Sequence, residues 1–95
     1  MTRPPIVTID LGGVQGKEEL HECLAQALKF PDWYGRNWDA FWDSITGLVD
    51  MPEVLEFQGW SAFSAIMPQE SKQLMELLGE MNEKYPTVAP KVIYR

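Results

Sequence analysis

Between Phe30 and Asp50 the chain reads FPDWYGRNWDAFWDSITGLVD and holds three tryptophans, one tyrosine and four aspartates. Asp39 and Asp43 stand four residues apart, Trp42 precedes the second acid, and Thr46 comes three residues later. Carboxylates at that spacing have two chemistries open to them. They could form an acid/base pair, as two carboxylates do in glycoside hydrolysis. They could instead accept charge-assisted hydrogen bonds from a partner's Arg, Lys or His, with the indole giving rigid contact area. Two aspartates one turn apart on an exposed helix meet the residue types of the first but offer no walled pocket for a sugar. The second chemistry fits them better, so the chain is not expected to be an enzyme.

Other reactive residues are few. His21 is the single histidine and Cys23 the single cysteine, so no internal disulfide can form and no Cys/His cluster has metal-ligand spacing. No metal or other cofactor is expected. DLGGVQG (10–16) lacks the Lys-Ser/Thr ending of a phosphate-binding loop. His21 falls on the polar side of its helix and is expected in solvent; Cys23 falls on the apolar side and is expected in the core. Glu76, Glu80 and Glu83 share one face of a late helix, which fits a solvated face as well as a contact surface.

The elements that must position these groups can be read from periodicity. PIVTIDL (5–11) is short and β-branched and stops at Gly12-Gly13, as a strand does. KEELHECLAQAL (17–28) puts Leu20, Cys23, Leu24, Ala27 and Leu28 on one helical face, and Pro31 ends it. The residue before a proline avoids the helical region, so Phe30 is expected to be extended. A second helix is expected from the N-cap Asn37 to about Gly47. EVLEF (53–57) reads as a strand and GWSAFSAI (59–66) as a short helix. Pro68 suits the first turn of another helix, in which Leu74, Leu77, Leu78, Met81 and Tyr85 form the apolar face before Pro86. KVIYR (91–95) is a closing strand. The order β-α-α-β-α-α-β predicts an α/β fold with a parallel sheet, a single domain over residues 1–95.

At about 100° per residue, the helix from Asn37 separates its residues into adjoining faces. Trp38, Phe41, Trp42, Ile45, Leu48 and Val49 form an apolar band, and Asp39, Asp43 and Thr46 form a stripe beside it. The stripe is unfavourable locally: like charges at i, i+4 cost about 0.2–0.5 kcal/mol. Asp39 lies in the first turn, where the helix dipole favours an acid. Asp43 has no such compensation, and a local rule broken without local gain points to function; a solvated helix position is the plainer alternative. From Asn37 through Ser71 there is no Lys or Arg against six acids, so any neutralising cation must come from elsewhere in the fold, Arg36 and Lys72 being the candidates. The loop before the helix joins two helices in so few residues that Trp33 and Tyr34 cannot both easily turn inward, and Gly35 is expected in a conformation closed to other residues.

The formal net charge of −6 argues against direct nucleic-acid binding, which needs clustered Lys and Arg, and suits a basic protein partner. No apolar run approaches the roughly 18 residues of a membrane span, and the N-terminus lacks the apolar core of a signal peptide. The expectation is a cytoplasmic protein, monomeric when free.

The string PDWYGRNWDAFWDSITG, Pro31 to Gly47, resembles the barstar family of intracellular ribonuclease inhibitors, and a looser similarity runs over nearly the whole chain. The resemblance implies a three-stranded parallel sheet packed with four helices. It implies that loop and helix plug the active site of a basic, barnase-like ribonuclease. By position it assigns partner contacts to Trp33, Asp39, Trp42, Asp43 and Thr46, with Asp43 in the place of a substrate phosphate and Glu80 as a further acid on the late helix. Tyr34, Gly35 and Gly47 complete the expected partner-binding set. The chain departs from the family pattern at Arg36, where the archetype has an acid, at Trp33, which replaces a tyrosine, and at Leu48, which replaces an aromatic. Those departures leave a second reading open: a barstar-like binding module whose partner is not a ribonuclease.

Overall fold

The computed structural model of the chain describes residues 3–95; Met1 and Thr2 of the expected domain lie outside the described residues. In chain order the elements are β1 (Ile6–Asp10), α1 (Lys17–Leu28), α2 (Trp38–Asp43) continuing into a π turn over Ser44–Leu48, β2 (Val54–Gln58), α3 (Trp60–Ile66), α4 (Pro68–Lys84) and β3 (Lys91–Tyr94). The strands pair in parallel in the order β1-β2-β3. This is the α/β fold of three parallel strands and four helices that the element order and the family resemblance implied.

One face of the sheet carries the core. Alternate side chains of a strand point to opposite faces. Val7, Leu55 and Val92 align in one row and Ile9, Phe57 and Tyr94 in the next, and all six join the core cluster. On the other face Ile6, Thr8 and Lys91 are exposed and Glu56 is half-buried. Parallel sheets usually bury both faces. Here the open face is finished with polar chemistry: the Thr8 hydroxyl donates to Glu56 Oε1 at 3.2 Å, and Arg95 forms an ion pair with the same carboxylate.

Helix boundaries obey local signals. α1 ends at Leu28, before Pro31, because Lys29 turns left-handed (φ 62°) and the Phe30 N–H reaches back to the Ala25 carbonyl at 2.9 Å. Gly59 opens α3 with φ 68°, and a Cβ there would lie 2.6 Å from the Gly12 backbone, so the segments leaving β1 and β2 can pass in close contact. Along α4, Leu74, Leu78 and Met81 are buried as expected. Tyr85 is not: the helix ends at Lys84, and the ring stands 46% exposed just past it.

Candidate functional site

The loop between α1 and α2 splits its two aromatics. Trp33 is 72% exposed and Tyr34 only 9%. A turn closed by the Tyr34 N–H on the Pro31 carbonyl (3.0 Å) sends one ring out and the next in. Tyr34 packs on Phe30 with centroids 4.8 Å apart, and its hydroxyl meets His21 Nδ1 at 2.7 Å and the Asn37 carbonyl at 3.4 Å. Burial pushes the phenol pKa well above its ordinary value. Tyr34 therefore supports the surface from beneath in the free chain and does not present itself there.

Gly35 does not take the left-handed conformation expected of it; its neighbour Arg36 does, at φ 53°. The small residue serves a close approach instead. A Cβ on Gly35 would stand 3.2 Å from Asn37 Nδ2, which donates to the Gly35 carbonyl at 3.1 Å. The other arm of that amide caps α2: Asn37 Oδ1 accepts from the Ala40 N–H at 2.7 Å. Such a cap contributes about 1 kcal/mol and fixes where the helix starts. That start fixes the direction of every side chain after it.

On α2, Phe41 and the nearby Ile45 are buried in the core, and Trp38 and Trp42 pack against its edge. Asp39 and Asp43 are exposed. The π turn begins straight after Asp43 and is closed by the Val49 N–H on the Ser44 carbonyl at 3.1 Å. One extra residue in that turn rotates the later side chains away from their places on a regular helix. Leu48 consequently leaves the apolar band drawn on a regular wheel and is 47% exposed, while Val49 stays at the core's edge. Thr46 donates its hydroxyl to the Trp42 carbonyl at 2.6 Å, and Gly47 is exposed on the turn.

Asp39, Asp43, Trp38 and Trp42 form one wall of an open groove of about 380 Å³; Gln73, Leu77 and Glu80 of α4 form the other. The sheet's crossover thus brings Glu80 beside two acids almost forty residues earlier. Among the described residues the ion pairs are Arg36–Glu22 at 2.9 Å, Lys84–Glu80 at 3.5 Å and Arg95–Glu56. Neither Asp39 nor Asp43 is in one. Arg36, a possible neutraliser, spends its charge on α1, away from the ridge. Trp33 stands on the preceding loop and is not part of the groove lining.

A buried polar layer holds this wall in place. His21, expected in solvent, is 2% exposed. The wheel of α1 alone places it on the polar side, but Tyr34 and Trp38 fold over it, the Trp38 ring meeting it edge-on at 4.5 Å. Burial lowers the imidazole pKa, Glu70 opposes that shift, and Lys17 adds to it. Trp38 Nε1–H donates to the buried Glu70 at 3.2 Å, tying α2 to the first turn of α4. Sequence reasoning missed Glu70 and His21 as supports. Neither carries a local signal, because their partners are supplied by a different element. Cys23, expected in the core, only packs against its edge and stays partly exposed, with burial and the charges of Asp10 and Glu19 raising its pKa. Among the described residues no three His, Cys, Asp or Glu side chains gather to hold a metal, and no helix is long and apolar enough to cross a membrane.

The arrangement offers exposed carboxylates along an aromatic edge, a surface able to receive several cations at once. Comparison with known proteins points the same way. The family model described as Barstar (barnase inhibitor) matches residues 5–94. A relative from Bacillus subtilis (strain 168), named "Putative ribonuclease inhibitor YrdF", is 35% identical over 78 residues, which span 82% of this chain and 86% of the relative.

Proposed function

The chain belongs to the barstar family, and from that premise we propose that it is a protein inhibitor of a small basic ribonuclease, acting by occlusion and not as an enzyme. One observation carries the reading. Asp39 and Asp43 lie exposed, with no ion-pair partner among the described residues, on a groove they share with Trp42 and Glu80. The relative's name as a ribonuclease inhibitor supports it.

In this reading the nuclease presents the Arg, Lys and His residues that normally bind RNA phosphates. Asp43, at the centre of the ridge, takes the phosphate's place and is the main anchor. Asp39 and Glu80 flank it. Trp42 and the exposed Trp33 exclude water around the ion pairs, which strengthens them. Thr46, Gly47 and Gly35 let the partner's surface approach, while Tyr34 keeps the loop's shape. The affinity arises from a prepared surface: the N-cap, Trp38–Glu70 and His21–Tyr34 fix the acids before the partner arrives, so little ordering remains to be done on binding. Steered association should be fast and should slow as salt rises. The free chain is taken to be a monomer, working in the cytoplasm.

The test is inhibition of barnase-catalysed RNA cleavage, with Asp43→Ala and Asp39→Ala beside the wild type. Loss of inhibition in Asp43→Ala supports the assignment; unchanged inhibition removes it. A second reading, a binding module with a non-nuclease partner, is favoured by the exposed Leu48, a change of surface beside the ridge. Wild-type protein that inhibits no small basic ribonuclease would select that reading.

A further inference from the structure

A cation does stand beside the groove, and it belongs to the chain itself. Lys84 Nζ lies 3.5 Å from Glu80 Oε2 and 5.9 Å from the centre of the Trp42 ring. A carboxylate on one side and an indole face on the other is a setting that attracts a Lys or Arg. Gln73, Leu77, Glu80 and Lys84 recur at i, i+4, i+7 and i+11, so Lys84 continues the row of α4 that lines the groove. Beside it the exposed Tyr85 ring sits 6.4 Å from Trp42.

We propose that Lys84 is a specificity-determining residue of this surface: a tethered cation that fills the place between Glu80 and Trp42 which a partner's own Lys or Arg would otherwise take. The inference rests on reading the groove as a partner site. A partner with a cation at this corner must displace the Lys84 ammonium or meet it as a like charge. A partner whose groove is neutral or acidic at this corner is spared both. The Lys84 and Glu80 side chains are 60% and 44% exposed, so water and salt screen the pair. Lys84 is therefore a displaceable competitor and not a lock. It tunes the choice among basic partners, while Asp39 and Asp43 remain open to all of them.

Two probes separate this claim from the reading beneath it. A hexa-arginine peptide, followed by NMR at the Trp42 indole N–H and the Glu80 side chain, reads the cation place directly. Barnase reads inhibition. Lys84→Met keeps most of the stem and removes the charge; Lys84→Glu reverses it. Peptide binding should tighten roughly two- to fivefold in Lys84→Met and further in Lys84→Glu, with the gain shrinking at high salt. Barnase association should quicken in the same order. Equal peptide binding by all three proteins, or slower barnase association by Lys84→Glu, overturns the role given to Lys84. Peptide binding that ranks as stated, with no inhibition of barnase by any of the three, upholds the cation place and removes barnase as the partner instead.

Discussion

Two surfaces of this molecule carry a carboxylate flanked by apolar neighbours, and they treat it in opposite ways. On the open face of the sheet, Glu56 is held by the Thr8 hydroxyl and the Arg95 guanidinium. On the α2 ridge, Asp39 and Asp43 have no basic partner among the described residues, though the chain contains eight Lys and Arg. A shortage of cations does not explain the bare ridge. The fold directs Arg36 to Glu22 and Arg95 to Glu56, and leaves the aspartates to water. Acids satisfied at home contribute to the fold, and acids left unsatisfied on a rigid support are available to a visitor.

The largest effect that could break this contrast is on binding. Asp43→Ala should weaken barnase inhibition by at least about 2 kcal/mol, a factor of roughly thirty, as expected of a central charged anchor. Its thermal stability should hold or rise slightly, because a like-charge i, i+4 pair is removed. A matching loss of stability and inhibition would mean that Asp43 serves the fold.

The support beneath the ridge comes next. Tyr34→Phe removes the hydroxyl that meets the buried His21 ring and the Asn37 carbonyl. Leaving a buried polar group unpaired costs about 1–3 kcal/mol, readable as a lowered urea midpoint. Inhibition should fall less than in Asp43→Ala. The opposite ranking would make Tyr34 a direct contact.

Much of the fold and site is legible in the residues alone, and the misreadings share a cause. Short apolar runs mark the strands, period-3.6 patterns mark α1 and α4, and Asn37 and Pro68 mark two helix starts. Asp39 and Asp43 are conspicuous because they break helix rules without local return. Sequence fails as a guide where one element's environment is made by another. His21 looks solvated on α1 alone but is roofed by Tyr34 and Trp38. Leu48 looks apolar-facing on a regular wheel, but the π turn carries it outward. Gly35 meets a need for space, though by a different route from the one expected: its neighbour Arg36 takes the left-handed turn, and Gly35 admits the Asn37 amide. Lys84, the cation that does come to the groove, lies twelve residues beyond the candidate Lys72.

Two smaller effects sharpen the comparison. Glu56→Gln weakens a half-buried carboxylate's ion pair on the sheet face and should lower stability by up to about 1 kcal/mol while leaving inhibition unchanged. A change in inhibition would show that the sheet face takes part in binding. The second effect is one of pH. Burial holds His21 below its ordinary value of 6.5, so between that value and the lowered one the unfolded chain binds a proton that the folded chain refuses. Stability should therefore fall as pH drops below about 6.5, by no more than about 1.4 kcal/mol per pH unit, and the His21 contribution should level off below the folded value. Melting curves of the wild type and His21→Gln at pH 7.5 and 5.5 check this. An equal acid-induced loss in both proteins would assign the slope to other groups.

The central claim is that Asp39 and Asp43 wait uncompensated for a partner's cations while Glu56 does not. Carboxyl-carbon NMR shifts of the chain, recorded free and with saturating barnase, read all the acids in one experiment. The account predicts large changes at Asp39, Asp43 and Glu80 and none at Glu56. Silent ridge acids in a formed complex, or changes centred on Glu56, would contradict it.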